Sequence, residues 1–376
     1  MKAPLSWIKD FVDIDMPVEE LAERLTMTGL EVDGIQMVGM APANQTVGVH
    51  GSDRTEVAAA GLAWDPDKLV VGRVDEVMPH PNADRLVLCR LFDGGKEHIV
   101  LTGAPNLFEY KGKGPLEKPL KVAYAKEGAC IYDGHQPGQV LTILKPAKIR
   151  GVDSYSMICS EKELGISEEH EGVIILDDDA PVGMPLVDYM GDAVLDISIL
   201  PNMARNASIL GIAREIAAML DLPLRKPELT QPATGKSVIG QAAIRIEDAT
   251  LNPRFILGLI RNVKCVPSPY QVQRRLKLAG LRPINAVVDA TNYVMLETGE
   301  PMHAFDYDVL VKRAGGKPPT IITRTAKPKE KLTTLDGVER VLDDFTELVT
   351  DTAGALSIAG VMGGLESEVS DATTNV

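Results

Sequence analysis

Apolar residues recur at helical spacing in two early stretches of the chain. Residues 17–29, PVEELAERLTMTG, place Leu21 and Leu25 on one stripe between an opening proline and a closing glycine. Residues 207–223, ASILGIAREIAAMLDLP, repeat the same spacing and end at a proline. The pattern predicts an amphipathic helix at each place.

Short β-branched runs, broken by Gly, Pro, Asn and Asp, fill residues 69–151. Several short strands at such spacing are typical of a small barrel. Residues 242–248 and 254–264 also have the composition of strands. The runs of the predicted barrel are LVVGRVDEV, RLVLCRLF, HIVLTGA, LKVAYA and QVLTILKPAKIRG.

A third helix is predicted for residues 268–280, SPYQVQRRLKLAG. Ser268 would be its cap, Pro269 would lie in its first turn, and Gly280 stands just past its end. Helices and strands therefore mix along the chain, which predicts an α+β protein.

The segment RPINAVVDATNYVMLETGEPMHAFD combines a helix with a constrained loop. Asn285 is a predicted cap, Gly299 ends the helix, and Asn292 lies toward its apolar face, as a satisfied core amide or as a pocket wall. Pro301 stiffens the loop that presents His303. Residue types alone favour a structural role for this histidine.

Composition narrows the class of protein. With 376 residues, 45% hydrophobic and 24% charged, the chain has the balance of a globular protein with two or three domains. The net charge of -14 means that any nucleic-acid role depends on local basic patches or a partner subunit. We expect no membrane segment and no targeting segment. We also expect a cytoplasmic location with reduced cysteines, because Cys89, Cys130, Cys159 and Cys265 are widely separated.

Three sets of motifs resemble the β subunit of bacterial phenylalanyl-tRNA synthetase. The first is APLSWIKDFVDIDMPVEELAERLTMTGLEVDGI, and the second is GRVDEVMPHPNADRLVLCRL followed by IRGVDSYSMICSEKELG. The third runs from PNMARNASILGIAREIAA through RPINAVVDATNYVMLETGEPMHAFD to LSIAGVMGGLESEVSD. Met203 to Asn206 depart from the family's usual run, so no role is assigned to them.

The resemblance implies an oligonucleotide-fold β-barrel inserted in a small α/β domain, followed by an α+β editing module of the B3/B4 type. The implied domains are a split α/β domain (1–40 plus 152–200), an insertion or linker (41–68), a tRNA-binding-like barrel (69–151) and an editing module (201–376) that is incomplete at its C-terminal end.

The same resemblance assigns site residues. In the family this Asn, Pro and His line the editing pocket, which makes His303 and Asn292 catalytic candidates and Pro301 a substrate-binding one. Arg282 would lie close to the tRNA terminus. We expect His303 and Asn292 to position or hydrogen-bond the reacting groups, since no Ser/His/Asp arrangement can be read from the sequence.

Gly363 and Gly364 have two interpretations. By themselves they indicate a tight turn or bulge, or a place where backbone approaches a ligand closely. The resemblance places them beside a misattached amino acid. The implied reaction is hydrolysis of the ester between tyrosine and tRNA(Phe), which needs a positioned water and a stabilised oxyanion but no covalent nucleophile.

Basic residues in the predicted barrel suit phosphate contacts, although a solvated lysine loop explains them nearly as well. Aromatic residues are only 4% of the chain, which disfavours extensive base stacking. His80, in HPNADRL, is more typical of a structural residue than of a metal ligand, and no metal site is predicted. The candidate tRNA-binding residues are Lys111, Lys113, Lys121, Lys145, Lys148 and Arg150.

The complete enzyme of this family attaches phenylalanine to its tRNA with ATP and Mg²⁺, as an α2β2 heterotetramer with an α subunit. We expect no cofactor on this chain, since it has no Gly-rich phosphate loop followed by Lys-Ser/Thr. The family's glutamate for the tyrosine hydroxyl would follow the final Asn-Val and is absent. Two alternatives stay open: a tRNA-binding or subunit-assembly module without activity, and a free-standing editing hydrolase.

Overall fold

A computed structural model describes residues 1–42, 59–226 and 233–376. The chain divides into two compact units. The first unit comprises Met1–Lys226 and Pro269–Arg282, and the second comprises Pro227–Ser268 and Pro283–Val376. Both contain helices and strands, so the mixed α+β class is confirmed. The four domain boundaries predicted from the resemblance stay predictions.

The helices of the first unit follow the predicted apolar stripes. In the second predicted helix, Ser208 accepts a hydrogen bond from the backbone of Gly211, and Asp221 ends the helix in the left-handed conformation. The α-helices of this unit are α1 (Leu5–Ile8), α2 (Val18–Met27), α3 (Leu186–Met190), α4 (Ile209–Leu220) and α5 (Tyr270–Leu278). Two 3-10 helices span Pro105–Tyr110 and Pro201–Asn206.

Helix α5 is capped from a distance. The carboxylate of Asp177 accepts hydrogen bonds from the backbone N–H of Tyr270, at 2.8 Å, and of Gln271, at 3.0 Å. The prediction that Ser268 caps this helix is wrong. Pro269 is the cap residue, and Ser268 Oγ donates to Asp289 within the second unit. A cap supplied by a residue far away in sequence leaves no local pattern.

Strands of the first unit form two larger sheets and two small pairs. The first sheet has the order β1-β14-β2-β3, and the barrel-like sheet has the order β12-β7-β4-β5-β6, with β13 also on β7. The pairs are β8–β9 and β10–β11. The strands are β1 (Lys2–Pro4), β2 (Val32–Gly39), β3 (Ala59–Ala63), β4 (Leu69–Pro79), β5 (Val87–Phe92), β6 (Glu97–Thr102), β7 (Pro115–Ala125), β8 (Cys130–Tyr132), β9 (Leu141–Ile143), β10 (Ala147–Ile149), β11 (Val152–Ser154), β12 (Met157–Ile158), β13 (Ile175–Leu176) and β14 (Asp192–Ile197).

The five apolar runs predicted for the barrel all form strands. The first four became β4, β5, β6 and β7, while the last divides into β9 and β10 on either side of Pro146. A register shift between Val74 and Glu76 interrupts the pairing of β4 with both neighbours. Such a bulge bends a strand, which lets a short sheet curve toward closure. The interior of this sheet is aliphatic, with Val74 and Leu91 fully buried.

The predicted insertion at 41–68 is described in part, since residues 43–58 lie outside the described residues. Strand β3 pairs in parallel with β2, and Trp64 follows it. The Trp64 side chain is 3% exposed and donates its indole N–H to the carbonyl of Leu164. The described end of this segment is therefore part of the first unit's core.

The second unit is built around one five-stranded sheet, of order β15-β16-β19-β20-β21, and a separate hairpin of β17 and β18. Strand β15 is parallel to β16, and the other pairs are antiparallel. Its elements are α6 (Ala286–Thr298), α7 (Tyr307–Arg313), a 3-10 helix (Leu365–Ser367), β15 (Ala243–Ile246), β16 (Thr320–Thr325), β17 (Lys331–Thr333), β18 (Glu339–Val341), β19 (Glu347–Thr350), β20 (Ala355–Ile358) and β21 (Met362–Gly363).

The strand expected over residues 254–264 does not form. Its side chains Phe255 and Leu257 pack on the core, and its backbone pairs with residues 374–376 through one isolated antiparallel bridge, between Arg261 and Asn375, and the hydrogen bonds beside it. Asn262 has a φ of 58°, a left-handed conformation that interrupts extended pairing. An amino-acid composition typical of strands is therefore not enough to make this segment a strand. Among the described helices of both units, none is long and apolar enough to cross a membrane.

Candidate functional site

The start of α6 is fixed by two polar side chains. Asn285 accepts hydrogen bonds from the backbone of Val287 and Val288 at 3.1 Å, and Gly299 ends the helix with a φ of 83°, as the sequence predicted. Asp289, which is 1% exposed, accepts from the backbone of Ile284 at 2.7 Å and from Ser268 Oγ at 2.5 Å. The loop before α6 is thereby tied to the helix.

The loop that carries His303 is anchored at its far end. Asp306 caps α7 by accepting from the backbone of Asp308 at 2.9 Å and of Val309 at 3.0 Å. Its second carboxylate oxygen accepts from Thr373 Oγ1 at 2.6 Å. Phe305 is 9% exposed and belongs to the core cluster of the second unit. These anchors lie within three residues of His303 and restrict its position.

The imidazole of His303 lies directly against the backbone of Gly363. A methyl group placed on Gly363 would lie 2.5 Å from Cε1 and 2.8 Å from Nε2 of His303. Only a glycine leaves room for the ring at this distance, because real Cβ atoms do not approach other atoms so closely. The Phe305 ring also meets the imidazole, edge-on, with ring centroids 4.6 Å apart.

His303 combines an exposed surface with crowded, largely apolar neighbours. The residue is exposed overall, while burial of part of the ring lowers the pKa of the imidazole below its usual value of 6.5. The ring is therefore mainly neutral at pH 7. A neutral imidazole with an accessible face can accept a proton or orient a water molecule.

Gly364 faces a different environment from Gly363. A methyl group on Gly364 would lie 2.5 Å from the carbonyl oxygen of Leu356 and 2.9 Å from Leu332 Cδ1. Its N–H donates to the same carbonyl at 2.7 Å. A groove of about 550 Å³ adjoins Gly364 and is lined by residues such as Arg313 and Ser367. His303 does not line this groove, and substrate binding by Gly364 stays a prediction.

The other predicted pocket residues have different surroundings. Asn292 is half-buried on α6, and Pro301 is exposed two residues before His303. Arg282 is the last residue of the first unit. Of the six residues assigned to the pocket, the structure brings His303 and Gly363 into contact. The roles of all six stay predictions.

Leu335 is a neighbour of the site that the sequence analysis did not single out. Its Cδ1 atom would lie 3.1 Å from the same methyl position on Gly363, and its N–H donates to the Gly363 carbonyl at 3.0 Å. The signal for it was present: Asp336-Gly337 between two β-rich runs is typical of a hairpin turn.

Two of the predicted tRNA-binding residues adjoin one loop of the barrel-like sheet. Lys111 Nζ donates to the carbonyl of Asp84 at 2.7 Å, and the carbonyl of Arg150 accepts from Asn82 Nδ2 at 3.3 Å. Lys111 and Lys121 are half-buried, whereas the exposed members of the set are Lys113, Lys145, Lys148 and Arg150. Of the last three, Lys145 precedes β10, Lys148 lies within it and Arg150 follows it, and all three are exposed.

A metal ion requires several ligands grouped in space. Among residues 1–42, 59–226 and 233–376, no three His, Cys, Asp or Glu side chains are grouped to hold a metal ion. The contact of His303 with Gly363 offers one mainly neutral imidazole, which is not the set of oxygen ligands that Mg²⁺ prefers.

Two family models match the chain: a B3/4 domain at residues 251–376 and a putative tRNA binding domain at residues 134–185. The phenylalanine--tRNA ligase beta subunit of Dehalococcoides mccartyi is 42% identical over 379 residues, which cover 100% of this chain and 41% of that protein. The protein of the same name from Moorella thermoacetica is 39% identical over 384 residues, covering 100% of this chain and 42% of that one.

Among solved structures, an N-terminal fragment of the phenylalanyl-tRNA synthetase beta-subunit from Pyrococcus horikoshii is 16% identical, covering 49% of this chain and 54% of that chain. Its TM-score of 0.28 is too low to support a structural argument. The chain spans about two fifths of the length of the curated relatives that it matches.

Proposed function

We infer that this chain, whose kinship with phenylalanine--tRNA ligase beta subunits is confirmed along its full length, binds tRNA(Phe) and hydrolyses tyrosine wrongly esterified to it. The observation that carries the hydrolytic part is the contact of His303 with the backbone of Gly363. That contact holds one side of the imidazole against a buried glycine, while the His303 residue as a whole is exposed.

Hydrolysis of an aminoacyl ester requires little catalytic machinery. An aminoacyl ester is activated toward water, so hydrolysis requires a positioned water molecule and stabilisation of the developing oxyanion. His303, with its lowered pKa, is suited to accept a hydrogen bond from that water near neutral pH. Asn292 and Pro301 would complete the pocket, and Arg282 would contact the tRNA terminus.

Selectivity for tyrosine follows from how pockets discriminate. A hydrophobic synthetic site rejects an added hydroxyl by only about a hundredfold. A second site that hydrolyses the tyrosyl ester and spares the phenylalanyl ester would supply the rest. In this role the chain would act as part of a complete ligase that has an α subunit in an α2β2 assembly and uses ATP and Mg²⁺. The proposed location of that enzyme is the cytoplasm.

For tRNA binding we propose an oligonucleotide-fold barrel with Lys113, Lys145, Lys148 and Arg150 as the phosphate contacts, and a minor part for Lys111 and Lys121. The support is the exposure of the first four side chains on an otherwise acidic chain. Four such contacts predict weak binding that falls steeply with salt. A module that binds tRNA without hydrolysing it remains the second candidate, favoured by this basic surface alone.

The test is deacylation of tRNA(Phe) charged with tyrosine or with phenylalanine. We expect the chain to release tyrosine faster than phenylalanine, and His303→Ala to slow the release of tyrosine about 100-fold. His170→Ala, at an exposed histidine of the first unit, is the matched control and should match the parent.

Equal rates for the parent and His303→Ala would show that the imidazole has been assigned wrongly. If the parent binds the tRNA and releases neither amino acid, the non-catalytic module is the correct description.

A further inference from the structure

The hairpin of β17 and β18 covers one side of the proposed site. Its two strands pair from Lys331 and Val341 to Thr333 and Glu339, and residues 334–338 form its tip. The tip is bound to the strand end that carries Gly363: Leu335 N–H donates to the Gly363 carbonyl, and Thr334 forms an isolated antiparallel bridge with Gly364. The hairpin tip is therefore part of the site's frame.

The tip is held in one conformation by its own side chains. Thr334, which is 0% exposed, donates its hydroxyl to Asp336 at 2.6 Å and accepts from Arg340 at 2.9 Å. Arg340 also donates to Asp336 at 2.8 Å. Gly337 supplies the positive φ of 76° that the turn requires. Leu335 is thus carried by a braced turn rather than by a loose loop.

Leu335 presents apolar surface to solvent beside the proposed site. Its side chain is 42% exposed and lies beside the position that the His303 ring occupies over Gly363. Two more apolar residues near in sequence are exposed: Met302, next to His303, is 53% exposed, and Val361, two residues before Gly363, is 73% exposed. An aliphatic side chain held rigidly next to an accessible imidazole is suited to contact a ligand with a flat apolar part.

We propose that Leu335 is a specificity-determining residue, which contacts the aromatic ring of the esterified amino acid while His303, held beside it over Gly363, meets the ester. Asp336 and Arg340 act as positioning residues that hold the tip. This inference rests on the proposed function and deepens it, because it assigns the aromatic side chain of the substrate to one named surface.

The experiment measures binding to the full chain of 3′-deoxy-3′-(L-tyrosylamino)adenosine, an amide that cannot be hydrolysed as the ester is. Its alanyl counterpart, which has no ring, is measured beside it. We expect Leu335→Ala to weaken binding of the tyrosyl compound about tenfold and to leave binding of the alanyl compound unchanged. Val341→Ala is the control, because Val341 is a 67% exposed aliphatic residue at the opposite end of the same hairpin.

Three outcomes overturn the inference. Unchanged binding of the tyrosyl compound would show that Leu335 does not contact the ring. Equal weakening of the tyrosyl and alanyl compounds would show that Leu335 only supports the fold of the tip. Equal effects of Leu335→Ala and Val341→Ala would show a general property of the hairpin.

Failure of the proposed function gives a separate result. If the parent chain neither binds the tyrosyl compound nor releases tyrosine from the tRNA, the function is wrong and this inference falls with it. Leu335→Met, which keeps the apolar bulk, is expected to bind the tyrosyl compound within about twofold of the parent.

Discussion

Two histidines of this chain each lie close to a proline in sequence, but one is buried in the structure and the other is exposed. His80, before Pro81, is 6% exposed, and its Nδ1 accepts the backbone N–H of Asn82 at 3.0 Å. His303, after Pro301, is exposed and rests on Gly363. The first ring supports its own turn, and the second is available to a ligand. What separates them is burial and the location of the partner: His80 bonds within its own turn, whereas His303 lies against Gly363, which is distant in sequence.

The difference implies that His80 contributes to the stability of the fold and His303 to its activity. Removing His80 deletes a buried side chain and the bond that organises residues 80–82, whereas removing His303 deletes an exposed ring. We expect His80→Ala to lower the free energy of unfolding by about 2–4 kcal/mol and His303→Ala by less than about 0.5 kcal/mol. Urea unfolding of both variants checks this, and a larger loss for His303→Ala would reverse the comparison.

The two glycines of the site differ in what an added methyl group would meet. Gly364→Ala places a methyl against the Leu356 carbonyl, which is backbone and cannot move cheaply, so we expect a loss of about 1–3 kcal/mol in stability. Gly363→Ala meets the His303 ring instead, which can swing away. It should cost less than about 1 kcal/mol in stability and still slow deacylation at least about tenfold.

Thermal unfolding and deacylation rates of the two variants test this pair. A Gly363→Ala protein with parental deacylation would mean that the position of His303 over the backbone has no catalytic importance.

The anchor of the His303 loop gives a smaller effect. Asp306→Ala removes the cap of α7, for which we expect a loss of about 1 kcal/mol. The control is Asp308→Ala, an exposed acidic residue in the first turn of the same helix, with a cost of a few tenths of a kcal/mol, about that of a dipole interaction. Urea midpoints of both variants provide the measurement, and equal losses would remove the special role of the cap.

The smallest effect is a dependence of stability on pH. Burial lowers the pKa of His303 in the folded protein below 6.5, so the unfolded chain binds more protons as the pH falls through that range. This residue therefore makes the folded state less stable below pH 6.5, and the loss levels off once the folded protein is also protonated. His303→Gln should flatten this part of the curve of unfolding free energy between pH 8 and pH 5. An unchanged curve would show that the ring is fully solvated.

Much of this architecture could be predicted from the sequence. The apolar runs of the barrel, the stripe of α4, the Asn285 cap and the Gly299 stop all depend on neighbours within a few residues, where periodicity and capping rules apply. The family resemblance also follows from local motifs in a fixed order. The placement of His303 in a braced loop is of the same kind, since Pro301 and Asp306 lie beside it.

The tertiary structure alone decided which residues meet. Ser268 was predicted to cap α5, but Asp177 does so, from more than ninety positions away. The strand expected over residues 254–264 is reduced to a single bridge with Asn375 and is interrupted at Asn262. The contact of His303 with Gly363, and the arrival of Leu335 beside it, join three segments separated along the chain. Local sequence specifies the conformation of each segment, but contacts between segments depend on packing and free space across the whole unit.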